Sequence, residues 1–144
     1  MKHVIRSLLA ALFCLLAMPA QADVVVVTHR DSPLRALSAA QVSDLYLGRI
    51  RSLPDGQAVI VIERERDSGL RARFFRLLNG MSLKQINAYW ARLQFSGQVL
   101  PPPRFPDAGA LIKTIQSSPA AIGYLDPAEV DDSVRVLLHL RDAS

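Results

Sequence analysis

Residues 58–71, AVIVIERERDSGLR, carry the chain from an apolar run into a helix through a short charged turn. Ala58 to Ile62 reads as a strand covered on both faces. From Ser68 onward Leu70, Phe74, Leu77 and Leu78 recur at helical spacing and stop at Asn79-Gly80, a favourable helix end. In an open α/β sheet, ligands collect beyond the carboxyl ends of strands, where the next helix points its positive N-terminus. Asp67-Ser68-Gly69 sits at such a junction. Gly69 lets a ligand approach the backbone, Ser68 brings a hydroxyl, and the first turn through Leu70 and Arg71 brings free amides, a set suited to an oxyanion. Arg64 adds a planar fork that matches phosphate or carboxylate. The same residues also read as plain structure, with Asp67 or Ser68 capping the helix and the arginines solvated or paired with Glu63 and Glu65. Arg66, Arg71, Arg73 and Arg76 are expected on the surface, Arg71 being the one that lies in the first helical turn.

Working outward, Asp23 to Thr28 (DVVVVT) is β-branched without alternation, the pattern of a buried parallel strand. Ser38-Ala-Ala-Gln41 has capping-box form, and Val42, Leu45 and Tyr46 supply the apolar side of a helix that Gly48 ends. A second capping box, Ser82-Leu-Lys-Gln85, opens a helix with Leu83, Ile86, Trp90 and Leu93 on one face. PPPRFPD, from Pro101 to Asp107, reads as a stiff surface connection that gives nothing to a sheet ladder, and as a candidate boundary between lobes. Ala108 to Ile115 predicts another helix, Ala120 to Leu125 and Val134 to Leu140 two more strands. Strands alternating with helices predict an α/β domain of three layers, a mainly parallel sheet flanked by helices, over residues 23–144.

Residues 1–22 stand apart. Lys2, His3 and Arg6 precede an apolar run from Leu8 to Met18, and Pro19 then leads to Ala20-Gln21-Ala22, the form of a signal peptide cleaved after Ala22. The run is short of the roughly 20 apolar residues that span a bilayer, so the mature chain is expected to be exported and to lie outside the membrane. Cleavage removes Lys2 and Arg6, leaving 15 basic against 13 acidic residues, a net charge of +2. So mild a balance argues against nucleic acid as a partner. Cys14, the only cysteine, leaves with the leader, which excludes disulfides and a thiol nucleophile.

Three stretches resemble a known family. LSAAQVSDLYLGRIRSLPDG (37–56), VIVIERERDSGLRARF (59–74) and SSPAAIGYLDPA (117–128) are similar, in order, to segments of the second lobe of periplasmic phosphate-binding proteins, the solute receptors of phosphate ABC transporters. The resemblance implies one lobe of a type II periplasmic binding protein. It also implies that Arg64, Ser68 and Gly69, with the following amides, contact phosphate or another small anion. Leu70 stands where the family has threonine, which removes one hydroxyl donor, and the family's other lobe has no counterpart in 122 residues, leaving half a cleft and weak binding.

Nothing else in the chain points to chemistry. His29 and His139 lack metal-site spacing, and Ser68 lacks the surroundings of a nucleophile elbow, so no enzyme, metal or cofactor is expected. Tyr124 and Ile122, two apart on one strand, should face the same way into packing. Ser38 is a secondary candidate for ligand contact. The leading expectation is an exported binding domain for phosphate or a similar oxyanion, accessory to an ABC transporter. The alternative is an interaction or sensor-accessory module that docks on an envelope protein or transporter. Pairing of two copies would rebuild a cleft; the sequence does not set the oligomeric state.

Overall fold

The computed structural model describes residues 23–97 and 99–142, so the signal-peptide expectation lies outside the described residues. Strand β1 (Val24–His29) lies inside a four-stranded sheet, between β5 (Ala121–Leu125) and β6 (Val134–Leu140), with the short β2 (Ile60–Val61) at the far edge beside β5. A second, two-stranded sheet joins β3 (Glu63–Arg64) to β4 (Arg104–Phe105).

Side chains of β1 alternate between two apolar clusters. Val24 and Val26 pack with Tyr46, Phe74, Phe75, Ile86 and Tyr124 on one face, whereas Val25 and Val27 pack with Ile62, Leu111, Ile115 and Leu125 on the other. Three helices cover the first face: α1 (Ala39–Tyr46), α2 (Gly69–Asn79) and α3 (Leu83–Phe95). One helix, α4 (Ala108–Ser117), covers the second. That is the three-layer α/β arrangement the sequence predicts.

The local signals act as expected. Ser38 and Ser82 each form a complete capping box with Gln41 and Gln85, and Gly80 ends α2 in the left-handed region at φ 72°. Gly123 has a different task. A Cβ there would stand 2.9 Å from Leu111 Cδ2 and 3.2 Å from Ile62 Cγ1, so only glycine lets α4 settle this close to β5.

Strand direction departs from expectation. β1 runs antiparallel to both β5 and β6; parallel pairing is confined to β2 with β5 and β3 with β4. The unbroken VVVV run reported burial on both faces, which is correct, but helices cover both faces of this sheet whichever way its strands run. The expected Ala58–Ile62 strand also divides. Ile60 and Val61 pair with β5, and Ile62 N–H still donates to Ile122 O at 2.9 Å. Glu63 and Arg64 then turn to β4. Arg104 and Phe105, between prolines in a segment read as a plain connection, therefore do take part in a ladder, and Pro103 O accepts from Glu63 N–H. Proline withholds only its own donor, leaving the residues between free to pair.

Candidate functional site

β3 ends at Arg64, and a tight turn, with Ser68 N–H donating to Glu65 O at 3.0 Å, delivers the chain to α2. Ser68 is the N-cap: its extended backbone lets Oγ accept from Arg71 N–H at 3.1 Å. The amides of Gly69 and Leu70 have no acceptor among the described residues, as the first turn of a helix dictates. Gly69 is exposed, with no atom within 4 Å of the place a Cβ would take, so the turn is open on that side. From Gly69 a cleft of about 670 Å³ runs past Arg73 and Arg76 to Ser82 and Lys84 at the start of α3. Asp67 is exposed and Leu70 half-buried against the main cluster.

Beneath the turn lies a buried polar network. Arg71 and Glu63 are both fully buried, and Arg71 Nε donates to Glu63 Oε1 at 3.1 Å. Arg71 Nη1 donates to Arg66 O (3.0 Å) and Asn87 Oδ1 (2.8 Å), and the guanidinium lies 5.3 Å from the Phe75 ring centre. The expectation of a surface Arg71 is thus overturned. One helical turn of α2 points it back at β3, where a buried carboxylate needs a partner. Its guanidinium is committed inside, and only its backbone belongs to the turn. The Tyr124 hydroxyl completes the network, donating to Glu63 Oε1 at 3.4 Å and accepting from Arg64 N–H at 3.3 Å, while its ring stacks on Phe74 at 3.9 Å. Burial pushes the Glu63 carboxyl above its ordinary value of 4.5, against the opposing pull of Arg71. Burial and the Glu63 charge push the Tyr124 hydroxyl far up.

Arg64 points elsewhere. Its guanidinium forks onto the Glu129 carboxylate at 3.0 and 3.4 Å, and Arg73 pairs with Asp126 at 2.8 Å. Both carboxylates sit on one short 3-10 turn, Glu129 inside Pro127–Glu129 and Asp126 at its N-cap, held by its own capping box: Asp126 N–H donates to Glu129 Oε1 and Ala128 N–H to Asp126 Oδ1. Arg64, Ser68, Gly69 and Leu70 thus share one turn, but the most direct cation of the set already has a carboxylate. Ser38 caps α1, and no hydrogen bond joins it to the Ser68 turn among the described residues. Glu129 and Asp126 carry no local sequence signal, since 65 and 53 residues separate them from Arg64 and Arg73. Glu63 was legible only as a neighbour in the arginine-rich stretch.

No family model matches the chain, and no curated protein does. Solved structures do. A Clostridium perfringens protein described as a phosphate ABC transporter substrate-binding protein, solved with bound phosphate, superposes at a TM-score of 0.65 over 82% of this chain, with 23% identity. The chain has the fold of half such a receptor. An ABC-type phosphate transport receptor from Vibrio cholerae (TM-score 0.62, 20% identity, 84% of this chain) and PstS from Borrelia burgdorferi (0.60, 13%, 81%) share the same lobe. The chain covers 45%, 50% and 47% of those three structures, about half their length. Within this lobe the Ser68 turn follows the carboxyl end of β3.

Proposed function

We propose that residues 23–144 form a single exported receptor-lobe domain that holds phosphate or a similar oxyanion weakly at the Ser68 turn, as a periplasmic accessory to an ABC transporter. The observation that carries this reading is the open turn itself: Gly69 and Leu70 amides without acceptors beside a capping hydroxyl, at the mouth of a cleft bordered by Arg73, Arg76 and Lys84. The leader-like Lys2 to Ala22 pattern supports export, and among the described residues no helix is long and apolar enough to cross a membrane. Two features hold the affinity down: Leu70 contributes no hydroxyl, and the Arg64–Glu129 pair must loosen before Arg64 can reach a ligand. Titration calorimetry of the processed protein with phosphate, sulfate and acetate tests the reading. Saturable heat with dissociation in the millimolar range for the oxyanions is expected; no heat and no thermal shift at millimolar phosphate overturns it.

The Arg64–Glu129 pair also favours a second reading, in which the lobe is an interaction module for a sensor, a transporter or another envelope protein and has given up solute capture. A guanidinium matched in place by the chain's own carboxylate needs no external anion. Under this reading the calorimetry is silent while the protein copurifies with an envelope partner.

A further inference from the structure

A second cleft, of about 440 Å³, lies apart from the Ser68 turn. Its lining includes Leu45 of α1, Trp90 of α3, Val59 and Val61 along the β2 segment, Ile50 and the Pro101 to Pro103 run. The reason it stays open is local. Prolines offer no N–H and little freedom to collapse inward, and Gly48, at φ 68°, leads the chain past the indole where a Cβ would stand 3.1 Å from Trp90 Cη2. The volume is that of a small-molecule site, and the lining is apolar with few polar groups, which suits an apolar body oriented at one end. Leu100 stands at the mouth 82% exposed, an apolar surface left uncovered.

Arg51 is the one charged side chain on the wall among the described residues. It is exposed and makes no ion pair among them, as is also true of Arg66 and Arg92; what sets Arg51 apart is its place on an apolar wall. A lone guanidinium at the rim of an apolar cleft complements a ligand with an apolar body and an anionic head. We propose that this cleft binds a single-chain anionic amphiphile of the alkyl carboxylate type, the chain lying between Trp90, Val59 and Val61 and the head group meeting Arg51. The proposal is independent of anion binding at the Ser68 turn.

Trp90 is the only tryptophan in the chain, so its emission reports occupancy without a label. Purified protein is titrated with sodium decanoate below its micelle-forming concentration, with decanol, decyltrimethylammonium and acetate in parallel. Decanoate is expected to give a saturable change in Trp90 emission, decanol a weaker one, and the cation and acetate none. Arg51→Ala should weaken decanoate binding at least fivefold and leave decanol unchanged, while Val61→Phe, checked for native circular dichroism, should weaken both by filling the cleft. No saturable change in the native protein overturns the proposal, as does equal binding of decanoate and decyltrimethylammonium, or an Arg51→Ala variant that binds decanoate normally. Sedimentation velocity adds one more outcome: a dimer that forms with concentration and shuts decanoate out would give the cleft to a second copy and refute the amphiphile.

Discussion

Replacing Glu129 by glutamine separates the two readings of the Ser68 turn. In the native protein Arg64 is 12% exposed and Glu129 28%, and two hydrogen bonds, at 3.0 and 3.4 Å, join them. Fully exposed pairs contribute about 0.2–1 kcal/mol, and well-made hydrogen bonds to charged groups about 1.5–3 kcal/mol. A half-buried fork with one long arm falls between, at about 1–1.4 kcal/mol. An oxyanion that recruits Arg64 must forfeit this pair and also meet a carboxylate of its own sign. Glutamine keeps an oxygen for Asp126 N–H, which Glu129 Oε1 accepts at 2.9 Å, so the 3-10 turn should survive while the charge is lost. Because about 1.4 kcal/mol is a factor of ten, Glu129→Gln should tighten phosphate binding about five- to tenfold while lowering stability by about 1 kcal/mol. Calorimetry of both proteins at one pH and low ionic strength reads the change, and raising the salt should shrink it. An unchanged or weaker affinity in the variant would show that Arg64 takes no part in anion binding and that its pairing with Glu129 is structural.

Other perturbations test the frame around the turn. Arg71→Met should cost about 3 kcal/mol or more in urea unfolding, because it strands the buried Glu63 carboxylate, and adding Glu63→Leu should recover most of the loss; equal stability of single and double variants would contradict the pairing. The raised Glu63 value sets a pH dependence: its stabilising contribution is complete below its ordinary value of 4.5 and is lost as pH rises through the higher folded value. Glu63→Gln, fixed in the neutral form, should therefore gain on the native protein as pH climbs above 4.5, and a constant difference across that range would count against the raised value. Gly123→Ala should destabilise by about 1–3 kcal/mol through overpacking against Leu111 and Ile62, measured as a lower melting temperature, and a neutral effect would mean that α4 can withdraw. Ser68→Ala should cost about 1 kcal/mol through the lost cap and weaken phosphate binding as well; an intact affinity would remove the hydroxyl from the site.

By itself the sequence determined whatever neighbouring residues settle among themselves. The capping boxes at Ser38 and Ser82, the left-handed end at Gly80, and strands at Ala121–Leu125 and Val134–Leu140 all follow from spacings of a few residues, and all stand where those spacings put them. Ile122 and Tyr124, two apart on β5, also share one buried face. The tertiary structure alone decided the direction of β1, because an apolar run records that both faces are covered and carries no mark of which way its neighbours point. It decided the fates of the arginines too. Arg71 and Arg66 look alike in the sequence, yet Arg71 is drawn inward by Glu63 and Asn87 while Arg66 remains exposed. Arg64, expected from the sequence to meet a ligand, instead meets Glu129 across 65 positions of chain. A charge takes its role from the partner the fold brings within about 3 Å, and that distance is set by the packing of every element between them.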